Sequence, residues 1–153
     1  MTIDVRFTIS ERVGKKARGT LEWSAKSLSA NAISGDSAHD AIPVGIWKGR
    51  LFIDIPSGPG YEDRKGNSWF FVFSDQQGRT DMGIHPDGGV ADATLGCIGL
   101  RIDDTSAWET AFKSLASASN FSCEIVESLG IQSFGDDGVL ETAPLTPIPS
   151  VIR

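Results

Sequence analysis

Two side chains that can do nucleophilic chemistry lie close together in this chain. His85 and Cys97 are separated by 12 positions, in a chain with only two histidines and two cysteines. A thiol is strongly nucleophilic only as a thiolate, and an imidazole within reach can take its proton. Gly96 directly precedes Cys97 and lets a substrate approach the backbone there. The pattern favours acyl transfer with Cys97 as the nucleophile, His85 as the base, and the Thr94 hydroxyl bracing the loop.

Composition limits what such a site can belong to. The chain has 153 residues, of which 40% are hydrophobic and 22% charged, as in an ordinary single-domain globular protein. The formal net charge of −6 argues against a general nucleic-acid binder. No apolar run is long enough to predict a transmembrane helix. Two cysteines do not make a disulfide framework, and Cys123 is expected to be a buried thiol.

Residue periodicity predicts a mainly β fold with one clear α-helix. Alternating or strongly apolar segments predict strands at 3–9, 17–25, 68–74, 98–102 and 120–128. Residues 45–55 are expected to form a hairpin that turns at Lys48-Gly49. An apolar stripe at helical spacing follows the cap candidates Asp103, Asp104 and Thr105, and predicts the helix. The stripe consists of Trp108, Ala111, Phe112, Leu115 and Ala116.

The chain is expected to form one domain with a tail. Residues 1–135 carry the strand and helix patterns, whereas 136–153 are rich in proline and are expected to be extended or mobile. The N-terminal residues lack the basic start and continuous apolar core of a signal peptide. We therefore expect synthesis in the cytoplasm without a signal peptide.

The order of the motif resembles one known enzyme family. The chain has a histidine, a loop, and then Thr-x-Gly-Cys followed by an apolar residue, at His85, Thr94, Gly96, Cys97 and Ile98. This is similar to the catalytic domain of L,D-transpeptidases, the YkuD-like family. Upstream, a strand ending in Ser34-Gly35, a polar loop and the turn of residues 41–45 resemble the opening hairpin of that family. The likeness spans roughly residues 17–102.

The sequence departs from the family pattern at three points. Leu95 stands where the family usually has a second histidine, the loop is short, and Gly99 stands where arginine or asparagine is common. Arg101 follows two residues later. These departures resemble the divergent branch found among type VI secretion effectors.

The resemblance implies a fold, an activity and roles for individual residues. It implies a YkuD-like β-sandwich or barrel and an L,D-transpeptidase or L,D-carboxypeptidase that acts on peptidoglycan tetrapeptide stems through a cysteine thioester. Cys97 would be the nucleophile and His85 the general base. The backbone amides of Gly96 and Cys97, with that of Leu95, would stabilise the oxyanion. Asp81, Asp87 or a backbone carbonyl would orient His85.

Further residues are candidates for binding the substrate. Asp87, Arg101 and Tyr61 are expected near the cleft, although acidic residues such as Asp87 could equally be solvated loop charges. No cofactor or metal is expected. His39 lies among aspartates, but turn chemistry explains those residues equally well.

The resemblance also implies where the protein works and with what. It implies an antibacterial effector that a specialised secretion system, or a phage, brings to the periplasm and cell wall. Its partners would be peptidoglycan stem peptides and a periplasmic immunity protein. Two alternatives stay open, namely a cell-wall cysteine endopeptidase or amidase with the same dyad, and a non-catalytic binding module on the same fold. Leu95 and Gly99 are what leave the binding module open, and a cysteine beside glycine is usually a small buried residue.

Overall fold

The computed structural model describes residues 2–56, 60–88, 94 and 96–128. Within these residues the chain forms eight β-strands, one α-helix (α1, Ser106–Lys113) and two short 3₁₀ turns at Ser24–Lys26 and Ala118–Asn120. The strands in chain order are β1 (Val5–Val13), β2 (Lys16–Trp23), β3 (Leu28–Ser34), β4 (Gly45–Asp54), β5 (Trp69–Phe73), β6 (Gly83–Pro86), β7 (Ile98–Leu100) and β8 (Ser122–Glu127). The prediction of a mainly β fold with one helix is therefore confirmed.

The eight strands close into a barrel. Their order around it is β1-β2-β3-β7-β6-β5-β4-β8, and β8 pairs with β1 to complete the ring. Two neighbouring pairs are parallel, β1 with β8 and β6 with β7, and the other pairs are antiparallel. Closure removes exposed sheet edges. It also brings β6 beside β7, although the glycine-rich segment separates them in sequence.

Alternating side chains build the barrel core. On β1, Val5, Phe7 and Ile9 are fully buried, whereas Arg6 between them is exposed. Successive strand residues point to opposite faces, so this alternation aims one face of the strand at the core. The centre of the core is aromatic, with the Phe71 ring 4.4 Å from that of Phe112 and 4.7 Å from that of Phe121.

The predicted helix is present and shorter than its apolar stripe. Trp108, Ala111 and Phe112 of α1 are buried, and Phe112 packs on Trp23 at 5.1 Å between ring centroids. Ala116 lies beyond the end of the helix and is exposed.

Two carboxylates organise the start of the helix, and one of them comes from a distant loop. The N-cap residue is Thr105, whose side chain makes no capping bond, and the preceding Asp104 accepts the Ser106 amide at 2.9 Å. Asp63 accepts the Thr105 amide at 2.6 Å and its hydroxyl at 2.8 Å. Loop 61–68 is thereby anchored to α1.

The predicted hairpin at residues 45–55 is wrong. The segment is a single strand, β4, with a bulge between Gly49 and Leu51. A Cβ at Gly49 would lie 2.2 Å from the Ala118 carbonyl oxygen and 2.6 Å from the Phe71 ring. The glycine thus permits a close backbone contact at a bulge, which is a common role of glycine within strands.

Several expectations fall outside this description. The end of the domain at residue 135 and the whole tail 136–153 lie beyond the described residues. Among the described residues, none of the helices has the length and apolar character needed to cross a membrane.

Candidate active site

Strand pairing places His85 and Cys97 on one face of the sheet. His85 on β6 pairs with Gly99 on β7, and Ile84 pairs with Ile98. Cys97 directly precedes β7, two residues before Gly99, and strand alternation continued to it gives its side chain the same direction as Gly99 and His85. Ile84 and Ile98 point the other way and are fully buried in the core. The histidine and the cysteine are diagonal neighbours on the outer face of the barrel.

A backbone carbonyl fixes the tautomer of His85. Its Nδ1 lies 2.7 Å from the carbonyl oxygen of Pro86. A carbonyl oxygen only accepts hydrogen bonds, so Nδ1 carries the proton and Nε2 keeps its lone pair. The sequence left three candidates for orienting His85, and the structure selects the backbone carbonyl over Asp81 and Asp87.

A network of short polar bonds braces the residues before Cys97. The Thr94 hydroxyl accepts the amides of Gly35 and Gly96, each at 3.1 Å, and donates to the carbonyl oxygen of Cys97 at 2.5 Å. The fully buried Ser34 hydroxyl donates to the Gly96 carbonyl and accepts the Ile42 amide, both at 2.9 Å. The end of β3 therefore clamps the cysteine loop, and the predicted bracing role of Thr94 is confirmed.

The clamp corrects one inferred role. The resemblance implies that the Gly96 amide is an oxyanion donor, but this amide already donates a hydrogen bond to the Thr94 hydroxyl. Gly96 has φ +124°, a conformation that side chains other than glycine rarely adopt. Its role here is to turn the chain tightly in front of Cys97. Leu95, another of the inferred donors, lies outside the described residues.

Two aromatic rings cover His85. The Tyr61 ring lies 4.8 Å from the imidazole, and the Phe70 ring meets it edge-on at 5.9 Å. Tyr61 is 37% exposed, whereas His85 and Cys97 are only 5% and 7% exposed. Tyr61 thus lies between His85 and solvent. Phe70 belongs to the buried core, and its ring also contacts His85.

Burial sets the protonation of both reactive groups. It raises the pKa of the Cys97 thiol to about 11, although the Gly83 amide and the Arg79 guanidinium oppose this. It also lowers the pKa of His85, against the opposing effects of the Pro86 carbonyl and Asp87. Each group is held in its neutral form at pH 7 because a low-dielectric site disfavours charge.

The thiol and the imidazole are not bonded to each other at rest. Cys97 Sγ donates to the carbonyl oxygen of Asp81 at 3.4 Å, and among the described residues no hydrogen bond joins it to His85. Catalytic hydrogen bonds are often long or misaligned without substrate. A rotation of the Cys97 side chain is needed to aim its proton at Nε2.

Asp87 and Arg101 engage each other. Asp87 is 2% exposed, and its Oδ2 accepts Arg101 Nε at 3.0 Å. A substrate amine at Asp87 would have to compete with this ion pair, and direct substrate binding by either residue stays a prediction. Asp87 and Thr94 leave no room for a side chain at position 99. A Cβ on Gly99 would lie 2.8 Å from Asp87 Cβ and 2.9 Å from Thr94 Cγ2.

The other titratable candidates have local roles. Exposed His39 bonds to Asp36 at 2.9 Å within a turn, and the described residues hold no group of three or more metal-ligating side chains. Asp63 is committed to anchoring its own loop and helix α1. Cys97 and Cys123 are both free thiols, and Cys123 is fully buried, as predicted.

Arg79 is a residue of the site that the sequence does not indicate. Its guanidinium lies against Gly96, close enough to Cys97 to affect the thiol pKa. No sequence pattern marks it, because it sits in a polar turn and reaches the site only through the fold.

Comparisons with known proteins add no relative. Searches against protein-family models, curated proteins and solved structures found no match for this chain.

Proposed function

We propose that this protein is a cysteine acyltransferase of the L,D-transpeptidase type that acts on peptidoglycan tetrapeptide stems. One observation carries the proposal. The Pro86 carbonyl holds His85 Nδ1–H, which leaves Nε2 as a base on the same sheet face as Cys97. The motif order, the closed barrel and the clamp from Ser34-Gly35 support it, because the resembling family combines a β fold with the same motif and hairpin.

The first half of the reaction forms a thioester. The Cys97 proton passes to His85 Nε2, and the sulfur attacks the carbonyl carbon of the third stem residue. As the tetrahedral intermediate collapses, the carbon–nitrogen bond to the terminal D-alanine breaks. The leaving amine takes the proton from His85. The Cys97 amide is the oxyanion donor that we propose.

The second half returns the enzyme to its resting state. An amine or water attacks the thioester, His85 accepts its proton, and the carbon–sulfur bond breaks with return of a proton to the thiol. A second stem gives a cross-link, water gives a tripeptide, and a free D-amino acid gives an exchanged tetrapeptide.

The protonation of the site favours general-base catalysis over a preformed ion pair. A thiol with a pKa of about 11 beside an imidazole with a lowered pKa is neutral at rest. The thiolate then develops only as substrate binds and Nε2 takes the proton. This differs from cysteine enzymes whose thiolate is stabilised by an adjacent imidazolium.

The proposed setting is the bacterial cell wall. Where the sequence departs from the family pattern, it resembles type VI secretion effectors. This resemblance supports an antibacterial role outside the producing cell, with an immunity protein as partner. Expression of the chain in the periplasm of a susceptible bacterium tests this. We expect lysis or growth arrest that depends on Cys97. Normal growth with intact, exported protein contradicts the antibacterial role.

Muropeptide analysis tests the enzymatic proposal. Purified protein is incubated with tetrapeptide-rich sacculi, and the products are read by mass spectrometry. We expect loss or replacement of the terminal D-alanine with wild type and with Cys123→Ser, which removes the other thiol, and none with Cys97→Ala. Cleavage at another bond indicates an endopeptidase or amidase, and unchanged muropeptides contradict the proposal.

One observation favours a second candidate, a non-catalytic binding module. Cys97 is 7% exposed, its pKa is raised, and its proton is held by the Asp81 carbonyl. On this account Cys97 is a packing residue. Stem peptides would bind equally to wild type and Cys97→Ala without being changed, which isothermal titration together with product analysis distinguishes from catalysis.

A further inference from the structure

A tight turn aims Arg79 back towards the cysteine. Gln76 and Arg79 bond to each other through both backbone amides, at 3.2 and 2.9 Å. Between them, Gln77 and Gly78 have φ values of +53° and +71°. Two consecutive left-handed residues make the compact type of turn that joins paired strands. The position from which the Arg79 side chain leaves the backbone is therefore well fixed.

Loop 35–41 holds the guanidinium at its far end. Arg79 Nη1 donates to the Ala41 carbonyl at 3.2 Å, and Nη2 donates to the Asp40 carbonyl at 2.9 Å. The loop itself is tied down, since the Asp36 amide donates to the His39 carbonyl and the Ala41 amide to that of Lys15. The cation is thus positioned from two sides before any substrate arrives.

The guanidinium lies beside the nucleophile loop. A Cβ built on Gly96 would be 2.2 Å from Arg79 Nη2, so this nitrogen is within about 4 Å of the Gly96 Cα. Cys97 is the next residue, and the Arg79 charge lowers the pKa of its thiol. Arg79 therefore belongs to the immediate surroundings of Cys97.

Arg79 has N–H groups that do not take part in its bonds to loop 35–41. An arginine has five N–H groups, and two of them serve the carbonyls of Asp40 and Ala41. Among the described residues, no carboxylate forms an ion pair with it, although it is partly buried. This contrasts with Arg101, which is paired with Asp87. A partly buried cation with free N–H groups is suited to an incoming anion.

We propose that Arg79 binds the terminal carboxylate of the stem peptide, on the D-amino acid that leaves when Cys97 attacks. This inference rests on the proposed function. The carboxylate carbon is three bonds from the attacked carbonyl carbon, so the two carbons are within about 4 Å of each other. A substrate carbonyl at Cys97 thus brings its carboxylate into the neighbourhood of the guanidinium. Arg79 would select stems that end at the residue after the attacked bond.

The competing explanation is that Arg79 only ties loop 35–41 to the turn of residues 76–79. Paired substrates separate the two. One synthetic tetrapeptide stem ends in a free carboxylate, and its twin ends in a carboxamide. Release of the terminal residue is followed by mass spectrometry as kcat/KM for wild type, Arg79→Gln and Arg79→Lys. Arg18→Gln is the control, because it removes an exposed arginine from β2.

We expect wild type and Arg18→Gln to prefer the free acid at least tenfold. Arg79→Gln should lower kcat/KM at least tenfold on the acid and less than threefold on the carboxamide, and Arg79→Lys should be intermediate. Equal rates of wild type on both substrates overturn this inference and leave the proposed function intact. An equal loss on both substrates in Arg79→Gln assigns Arg79 the tying role instead. Failure of wild type on both substrates overturns the proposed function and this inference together.

Discussion

The reactivity of Cys97 is expected to rise with pH far beyond neutrality. Burial raises its pKa from 9.0 to about 11, and only the thiolate reacts readily with alkylating agents. At pH 7 roughly one thiol in ten thousand is ionised at a pKa of 11, against roughly one in a hundred at a pKa of 9. Alkylation should therefore be about 100-fold slower than for an ordinary thiol from ionisation alone. It should increase about tenfold per pH unit until pH nears 11.

Iodoacetamide labelling of the Cys123→Ser variant measures this profile on one thiol. Intact-protein mass gives the rate at each pH, and circular dichroism identifies the range in which the fold is intact. Limited access to Cys97 slows labelling by a similar factor at every pH. The increase of the labelling rate with pH, and not its absolute value, therefore reports the pKa of the thiol. His85→Gln should leave the slope unchanged, because the resting thiol bonds to Asp81 instead. A labelling rate that levels off below pH 8 would contradict a neutral resting thiol and indicate a preformed thiolate–imidazolium pair.

Three further changes probe the clamp and the buried histidine. Ser34→Ala leaves the Gly96 carbonyl and the Ile42 amide without their hydrogen-bond partner. The free energy of unfolding in urea should therefore fall by about 2 kcal/mol or more. A loss below about 0.5 kcal/mol, which is typical of an exposed serine, contradicts the clamp. Gly96→Ala should lower the free energy of unfolding more than Gly14→Ala does in the same assay. Both glycines have positive φ, but only at Gly96 would the added Cβ overlap neighbouring atoms. Equal losses argue against close packing at Gly96. The lowered pKa of His85 means that the unfolded chain takes up the proton first, so this contribution to stability is present above pH 6.5 and is lost as pH falls below it. His85→Gln should flatten the decline in melting temperature between about pH 7.5 and 5, and an unchanged decline contradicts burial of the neutral imidazole.

The sequence predicts those parts of the fold that depend on local periodicity. The alternation around Phe7 and the helical stripe of Trp108 and Phe112 identify elements that the structure contains. The turn expected at Lys48-Gly49 fails for a non-local reason. Glycine there permits close contact with Ala118 and Phe71, which lie far away in sequence. A pattern read along one segment does not distinguish a turn glycine from a bulge glycine.

The candidate site divides in the same way. His85, Cys97 and Thr94 are identifiable because their types and order carry chemistry. The group that orients His85 is the carbonyl of the next residue, which every residue possesses, so no side-chain pattern reveals it. Arg79 is held at the site by hydrogen bonds to the carbonyls of Ala41 and Asp40, which precede it by 38 and 39 positions in the chain. Only the folded barrel brings these residues together.

Trapping the acyl-enzyme tests whether Cys97 forms a thioester with the stem peptide. The protein is mixed with a synthetic tetrapeptide stem, quenched in acid within seconds, and weighed intact while released terminal residue is measured in the same sample. We expect a mass gain equal to the stem without its terminal residue, or stoichiometric release of that residue where the thioester turns over quickly. Both signals should occur in wild type and Cys123→Ser, be absent in Cys97→Ala, and be strongly reduced in His85→Gln. No adduct and no release in wild type, or an adduct that persists in Cys97→Ala, would contradict thioester formation at Cys97.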